Sequence, residues 1–391
     1  MKILITTDLF TTATNGVVTS IRNLCEELRR RGHDVRILTL SDHMNSHAEE
    51  GVYYIGSVSL DSVYPNVRMP MRYHHPLIEE LIEWKPDVIH SQCEFFSFQF
   101  ALRIAKHTDA PILHTYHTLY EQYVPYIIPA KRFGHELIRI LSRKRLENVS
   151  RVIVPSYKVE DTLLDYGLYN TICVVPSGIS LEQHRIRLTS EKRRDKRRSW
   201  GIADDRFVLV SLGRLGTEKN VDELLRYFAA AAAVIDELLF LIVGDGPARA
   251  SLERLTATLD ISDRVIFTGM VLPEEVQEYY QLGDVFVSAS TSETQGLTYV
   301  EAAANGLPLL CRHDLCLRDV LLPDENGYEF TNEEEFLDGV RRLMNDPEKR
   351  LSAGHRSEEI SRTFDKSSFA DTMEGIYLSV LQDQSDKQRE I

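Results

Sequence analysis

The chain has 391 residues, 43% hydrophobic and 27% charged, a globular composition on a length that one hydrophobic core seldom serves. Its longest apolar runs, such as 228–235 and 238–243, are far short of the roughly 20 residues a membrane span needs. The net charge of −14 is uneven: residues 1–200 hold 27 Lys and Arg against 23 Asp and Glu, and residues 201–391 hold 18 against 36.

In chain order, 2–7 predicts a buried first strand, too brief an apolar stretch for a signal peptide, so the protein is expected to stay in the cytoplasm. A helix follows over 17–31, then Gly32 as a C-cap and a strand over 34–40. Further strands are predicted at 88–91, 112–115, 151–155 and 172–175, with helical patterns between several of them. After the charge-rich stretch 185–200 the alternation restarts. Strands fall at 207–212, 238–244, 265–268 and 285–289, and helices at 220–235, 247–259, 273–281 and 297–305. This is the pattern of two doubly wound, Rossmann-like α/β domains, 1–182 and 183–365, facing an interdomain cleft. The last helix begins near 366, and the periodicity does not say which domain holds it. Five scattered cysteines lack any C-x-x-C pair, which suits small buried apolar residues and argues against a disulfide frame or a zinc-thiolate site.

The second half carries the most informative stretch, Ser290-Thr-Ser-Glu293-Thr-Gln-Gly296-Leu-Thr-Tyr-Val-Glu301. Glu293 follows a strand, Gly296 permits a tight turn, and a helix starts near Leu297. The free N–H groups of such a turn favour a phosphate by ~0.3–1 kcal/mol. Glu301 lies one turn further, so two carboxylates bracket an anion site, as the hydroxyls of a sugar nucleotide require. Leu212-Gly213-Arg214-Leu-Gly-Thr-Glu-Lys219-Asn220 supplies a planar fork and a point charge for phosphate oxygens. Each charge-assisted bond contributes ~1.5–3 kcal/mol, enough to neutralise a departing diphosphate without a metal. No Asp-x-Asp occurs in the chain, so the usual carboxylate pair for a nucleotide-bound metal is missing.

Glu293-x7-Glu301 with Gly213-Arg214 and Glu218-Lys219-Asn220 resembles the signature of the family 4 retaining glycosyltransferases, which have the B-type two-domain fold. Gly244-Asp-Gly-Pro247, Glu301-Ala-x-Ala-x-Gly306-Leu-Pro308 and Asn15-Gly16-Val17 match in the same order. The resemblance implies that Arg214 and Lys219 bind the diphosphate, Glu301 the ribose, and Glu293 the donor sugar. It implies that backbone around Gln295, Gly296, Leu297 and Thr298 holds sugar and phosphate. Gly213 and Gly16 would flank the pyrophosphate, and the last helix would cross back onto the first domain. Two departures stand out: Ser180, where the family has Asp, and the polar, cysteine-containing stretch 311–322.

In the first half, His114-Thr-Tyr-His117-Thr-Leu-Tyr120-Glu121-Gln-Tyr123 follows a strand. His114 lies inside the strand pattern and is expected to be packed, leaving His117 to meet the sugar and the acceptor, with Tyr120, Glu121 and Tyr123 beside it. His-x-x-His lacks a completing carboxylate for a metal site. This stretch, with Ile89-His90-Ser-Gln92-Cys-Glu94-Phe95, resembles bacterial diacylglycerol glucosyltransferases. The resemblance implies UDP-glucose as donor, no cofactor, and the 3-hydroxyl of diacylglycerol as acceptor.

Residues 131–151 hold seven basic residues against two acidic ones. On a helix, Phe133, Leu137, Ile140 and Leu141 share one face, while Arg132, Arg139 and Arg143 cluster on another, beside Lys131. At ~1 kcal/mol per basic residue, this helix is expected to hold the first domain reversibly on an anionic membrane. Residues 185–198 add eight basic residues against two acidic ones. Tyr116, Tyr120, Tyr123, Tyr126, Ile127 and Ile128 either line an acyl entrance or pack in core and loops. The competing readings are a soluble acceptor such as a sugar or inositol phosphate, a UDP-sugar epimerase, and a non-catalytic nucleic-acid or lipid-surface module. The acidic second half disfavours nucleic acid. An NAD-dependent oxidoreductase lacks its Gly-x-Gly-x-x-Gly, since 8–16 contains one glycine.

Overall fold

The computed structural model describes residues 1–10, 16–60, 67–119, 131–169 and 172–389, with the side chains of 131–135, 137 and 388 outside that description. The chain forms two compact units, Met1–Gly178 with Lys366–Ile391, and Ile179–Asp365.

In the first unit β1 (Lys2–Thr6), β2 (Asp34–Leu40), β3 (His47–Glu49) and β4 (Val52–Ile55) precede a small two-stranded sheet, β5 (Ser57–Ser59) with β6 (Arg68–Pro70). β7 (Val88–Ser91), β8 (Ile112–Thr115), β9 (Arg151–Val154) and β10 (Ile172–Val174) follow. The main sheet runs β10-β9-β8-β7-β1-β2-β4-β3, parallel except for β3. Strands buried on both faces need continuous apolar runs, and Ile3, Leu4 and Ile5 are fully buried. Successive side chains feed opposite cores: Leu4, Ile89, Val152 and Val154 one, Ile3, Ile5, Val88, Leu113 and Ile153 the other. Helices α1 (Gly16–Arg30), α2 (Pro76–Trp84), α3 (Phe96–Thr108), α4 (Lys131–Leu146) and α5 (Tyr157–Asp165) cover the sheet.

The second unit repeats the plan. Helices α6 (Leu181–His184) and α7 (Ser190–Ser199) lead into β11 (Phe207–Leu212), α8 (Val221–Ala232), β12 (Leu238–Val243), α9 (Arg249–Thr258) and β13 (Val265–Gly269). Then come α10 (Val276–Tyr280), β14 (Val285–Ser288), α11 (Leu297–Ala304), β15 (Leu309–Arg312), β16 (Gly327–Phe330), α12 (Glu333–Asn345) and α13 (Pro347–Ser361). Its sheet is all parallel, ordered β13-β12-β11-β14-β15-β16.

The last helix, α14 (Lys366–Arg389), belongs to the first unit and buries Phe369, Ala370, Met373, Tyr377 and Val380 in its core. Arg31 pairs with Asp371, and His33 Nε2 lies 3.0 Å from Glu374 Oε1, fixing α14 beside α1.

Three features differ from the sequence expectations. β3 to β6, β15 and β16 lacked a signal, being strands of three or four residues, too short to carry a period. The basic stretch 185–198 is a cationic surface only in part: Arg185, Lys192 and Arg194 are exposed, and the other five basic residues are engaged within the second unit. Arg197 is 4% exposed and bonds Leu282 O at 2.7 Å and Asp284 Oδ2 at 2.8 Å, Arg193 reaches Gln281 O at 2.6 Å, and Lys196, Arg187 and Arg198 pair with Glu278, Glu358 and Asp204. Its arginines satisfy carbonyl groups at the end of a helix and hold α7 to the second unit. In α4 the inward stripe is Ile138, Ser142 and Leu146, at i, i+4 spacing, and Ile140 and Leu141 are not part of it, while the side chains of 133 and 137 lie outside the described residues. Ile140 and Leu141 are 53% and 43% exposed, and stand outward like Arg139 and Arg143.

Candidate functional site

In an open parallel sheet, ligands bind where the strand order reverses, beyond the carboxyl ends of the two strands that flank the reversal. Each unit has one such point. In the second it lies between β11 and β14, which pair at Leu209 with Val285 and Val210 with Phe286. The chain leaves β11 as Gly213-Arg214 and leaves β14 toward Glu293, so the two sequence motifs meet by topology. Lys219 Nζ donates to Glu293 Oε1 at 2.5 Å, and Asn220 Nδ2 donates to Ala289 O at 3.1 Å, tying the two loops together. Arg214 pairs with Glu218 and is half exposed.

Gly296 caps α11 with φ +76, and a Cβ there would stand 2.3 Å from the Tyr299 ring, so only glycine makes this turn. The backbone N–H groups that start α11 follow directly, with Gln295 buried and Leu297 and Thr298 half-buried. Gly244 meets the loop after β11 so closely that a Cβ would sit 2.0 Å from Gly213 O. Gly213 itself has φ +147.

Glu301, one turn into α11, accepts from the Tyr280 hydroxyl at 2.8 Å. Burial pushes its carboxyl up to about 7, with the Tyr280 bond opposing the shift. Tyr280, fully buried, was missed in the sequence: a tyrosine on a helix carries no signal of the carboxylate it supports. In the divergent stretch 311–322, Cys311, Cys316, Leu317, Val320 and Leu321 are core, the two cysteines near Tyr299, while His313, Leu315, Arg318 and Asp319 are exposed, and all five cysteines are free.

In the first unit the reversal lies between β1 and β7, paired at Thr6 with Ser91. Asp8 accepts from the first N–H groups of α3, Ser97 at 2.6 Å and Phe96 at 3.3 Å, and burial raises its carboxyl above the usual range. His117 Nε2 lies 2.7 Å from Gln92 Oε1, and burial lowers its pKa to about 4, with Glu94 opposing and His114 assisting. His114 is fully buried, 3.1 Å from Glu94 Oε1. His90, brought down to about 3 by burial, links Thr115 and Tyr377. The sequence marked His90 and Gln92 only through a resemblance, and Tyr377 not at all.

Gly16 opens α1 and is exposed. Tyr116 is wholly core, which removes it from any acyl entrance. Tyr120, Glu121, Tyr123, Tyr126, Ile127 and Ile128, and the side chains of Lys131 and Arg132, lie outside the described residues. Among the described residues no three His, Cys, Asp or Glu form a metal-ligand set, and no helix is long and apolar enough to cross a membrane.

Two doubly wound domains with a cation–carboxylate pair at one reversal and a buried histidine at the other define a B-type glycosyltransferase architecture. Solved structures share it. Sucrose-phosphate synthase from Thermosynechococcus elongatus superposes with a TM-score of 0.78 at 21% identity, covering 97% of this chain and 99% of that one. Anabaena HepE in complex with UDP gives 0.77 at 16% identity, covering 97% and 100%.

The chain belongs to the family 4 glycosyltransferases and is a glycosyltransferase: the model of Glycosyltransferase Family 4 matches residues 14–183 and that of Glycosyl transferases group 1 matches 192–359. The alpha-monoglucosyldiacylglycerol synthase of Streptococcus pneumoniae is 35% identical over 342 residues, 87% of this chain and 77% of that one. The synthase of the same name from Acholeplasma laidlawii is 29% identical over 393 residues, 97% and 98% of the two chains.

Proposed function

We propose that this chain transfers glucose from UDP-glucose to the 3-hydroxyl of diacylglycerol, with retention of configuration and without a metal, while resting reversibly on the inner face of the cell membrane. The observation that carries the donor half is the 2.5 Å contact of Lys219 with Glu293 beside Gly213, Arg214 and the start of α11. A cation, a carboxylate and the backbone amides that open α11 stand together there, the set a nucleoside diphosphate sugar needs. Arg214 and Lys219 take up the negative charge that develops on the diphosphate as the bond to the sugar breaks, and the amides of 295–298 reinforce them. Glu293 accepts from sugar hydroxyls and Glu301 from the ribose. His117, neutral at physiological pH, hydrogen-bonds the sugar. Residues 1–178 take the acceptor and residues 179–365 the donor. The lipid acceptor is supported by the names of the two synthases and by the exposed Ile140 and Leu141 on the basic helix α4.

The test is transfer from labelled UDP-glucose to diacylglycerol in mixed micelles, with UDP-galactose and UDP-N-acetylglucosamine as competitors and EDTA in a parallel reaction. A glucosyl lipid with the small H1–H2 coupling of an α-anomer, formed equally with EDTA, is expected. Transfer to inositol phosphate in place of lipid would overturn the acceptor, and an epimerised UDP-sugar without acceptor would overturn the reaction class.

A further inference from the structure

Among the described residues the Glu301 carboxyl has one hydrogen-bond partner, the Tyr280 hydroxyl, 2.8 Å from Oε2. Its second oxygen, Oε1, carries no hydrogen bond from a described residue. Tyr280 ends α10 and is fully buried. Its ring is tilted against Phe286 of β14, with centroids 6.0 Å apart, and Phe286 meets Tyr299 of α11 edge-on at 5.9 Å. This packing fixes where the hydroxyl points, and ties the end of α10 to the helix that opens at the donor loop.

The carboxylate gives the bond its direction. An ionised carboxylate has no proton and accepts only, so a phenol beside it donates. The other atom near the hydroxyl, Thr298 O at 3.4 Å, is a carbonyl oxygen and also accepts only. A protonated Glu301 can in turn donate to the tyrosine oxygen, but that bond is neutral, and a charge-assisted one is about twice as strong. Tyr280 therefore favours the ionised form of Glu301 over the neutral one. Burial opposes it and leaves the carboxyl near 7. The charged groups around α11 stand at its ends. Glu293 with Lys219 lies ahead of the first turn, and Arg187 and Glu358 lie at the last, beside a His184 that burial holds near 4 and neutral. Burial and the Tyr280 bond are what set the Glu301 carboxyl.

We propose that Tyr280 is a positioning residue for donor binding: by donating to one oxygen of Glu301 it keeps that carboxylate ionised and turned so that the other oxygen accepts from the ribose. This rests on the ribose contact of Glu301 proposed above. The role differs from that of Arg214 and Lys219, which meet charge developing on the diphosphate. A ribose contact is the same before and during transfer, so Tyr280 governs donor affinity and its pH range and leaves the chemical step alone.

The experiment measures binding of UDP-glucose without acceptor, by calorimetry from about pH 6 to about pH 8.5, beside steady-state kinetics. UDP-glucose is the probe because its diphosphate is esterified at both ends and has no proton to exchange in this range. Wild type, Tyr280→Phe, Glu301→Gln and the double variant are compared. The phenylalanine ring keeps the packing and removes only the oxygen. Wild-type affinity should rise with pH through about 7. In Tyr280→Phe the midpoint should move up by about one unit, so that binding is about fivefold weaker at pH 7 and within about twofold of wild type at pH 8.5. At saturating donor kcat should stay within about threefold of wild type. Glu301→Gln should bind weakly at every pH, and adding Tyr280→Phe to it should cost less than Tyr280→Phe costs the wild type at pH 7, since ionisation is no longer at stake. If Tyr280→Phe does not fold, 3-fluorotyrosine at position 280, a stronger donor, should move the wild-type midpoint down. The proposal is overturned if neither folded variant moves the midpoint by more than about 0.3 unit, whether affinity is unchanged or is lower by one factor at every pH, the second being the mark of a merely structural ring. A pH-dependent wild type with an unmoved variant would sink Tyr280 alone; a wild type that binds independently of pH, and no tighter than Glu301→Gln, would sink the ribose contact of Glu301 with it.

Discussion

The two strand-order reversals occupy equivalent places in two similar domains and are built from opposite materials. The one in the second unit is charged and half open: Arg214 is half exposed, and the side chains of Lys219 and Glu293 keep 27% and 18% of their surface. The one in the first unit is buried and, at His90 and His117, neutral, with His90 near 3 and His117 near 4. A departing diphosphate carries charge that only fixed charges can balance, whereas a sugar hydroxyl is oriented by single hydrogen bonds, which gain strength when water is excluded. One doubly wound plan thus serves two kinds of recognition according to what its loops carry.

That contrast predicts unequal losses. Lys219→Ala removes a cation that the proposed transition state uses, and the expected fall in kcat is about 10²–10³-fold, the scale of losing one preorganised electrostatic contact. Glu293→Ala should cost as much, and the double variant clearly less than the product of the two, because the pair acts as a unit. Strict additivity in that cycle would separate the two residues functionally. His117→Ala should cost about 10²-fold, mostly in kcat, the lower range for a positioned hydrogen-bonding group. A larger loss there than at Lys219 would invert the comparison.

Glu301 sharpens the contrast through pH. Its carboxyl is raised from 4.5 to about 7 by burial, so the folded chain holds a proton there that the unfolded chain has released. Stability from this group is therefore fully present below the unfolded value and is lost as pH rises through about 7. UDP binding has the opposite sign, since ribose hydroxyls donate to the ionised form. Affinity should rise about tenfold from pH 6 to pH 8, with proton release on binding, as one group titrating near 7 allows. His117 is already neutral across that interval and adds nothing to it. Calorimetry in buffers of different ionisation enthalpy measures the released proton, and Glu301→Gln should abolish the release. A pH-independent wild type would remove Glu301 from the ribose contact.

Much of this was legible in the sequence, and what was hidden was hidden for physical reasons. Continuous apolar runs such as 238–243 declare buried parallel strands, and Gly213-Arg214, Lys219 and Glu293 fall at strand ends where topology must place them. Short strands such as Leu309–Arg312 and Gly327–Phe330 do not, because four residues hold too little pattern and neighbouring strands determine them. The Tyr280–Glu301 and Tyr377–His90 bonds join residues 21 and 287 positions apart, a distance over which local periodicity says nothing. The basic run 185–198 misled because counting charges ignores which guanidinium groups are consumed by carbonyl oxygens and carboxylates.

In the first unit, α4 carries exposed basic residues among its described side chains. Arg139 and Arg143 do have partners, Glu136 at 3.4 Å and Glu147 at 2.7 Å, yet all four side chains are about half exposed. Pairs so exposed are worth ~0.2–1 kcal/mol and are readily exchanged for lipid phosphate. The outward Ile140 and Leu141 add apolar contact between them. Each basic residue near an anionic leaflet contributes about 1 kcal/mol, roughly a fivefold change in partitioning, and salt screens it. Arg139→Ala and Arg143→Ala should therefore each weaken sedimentation with anionic vesicles about fivefold at low ionic strength, and leave it unchanged at high salt. Arg193→Ala should bind vesicles as the wild type does, since that arginine is engaged with Gln281 O and Asp284 within the second unit. Equal losses from the α4 variants and from Arg193→Ala would mean that basic residues in general, and not the placement of α4, govern vesicle binding.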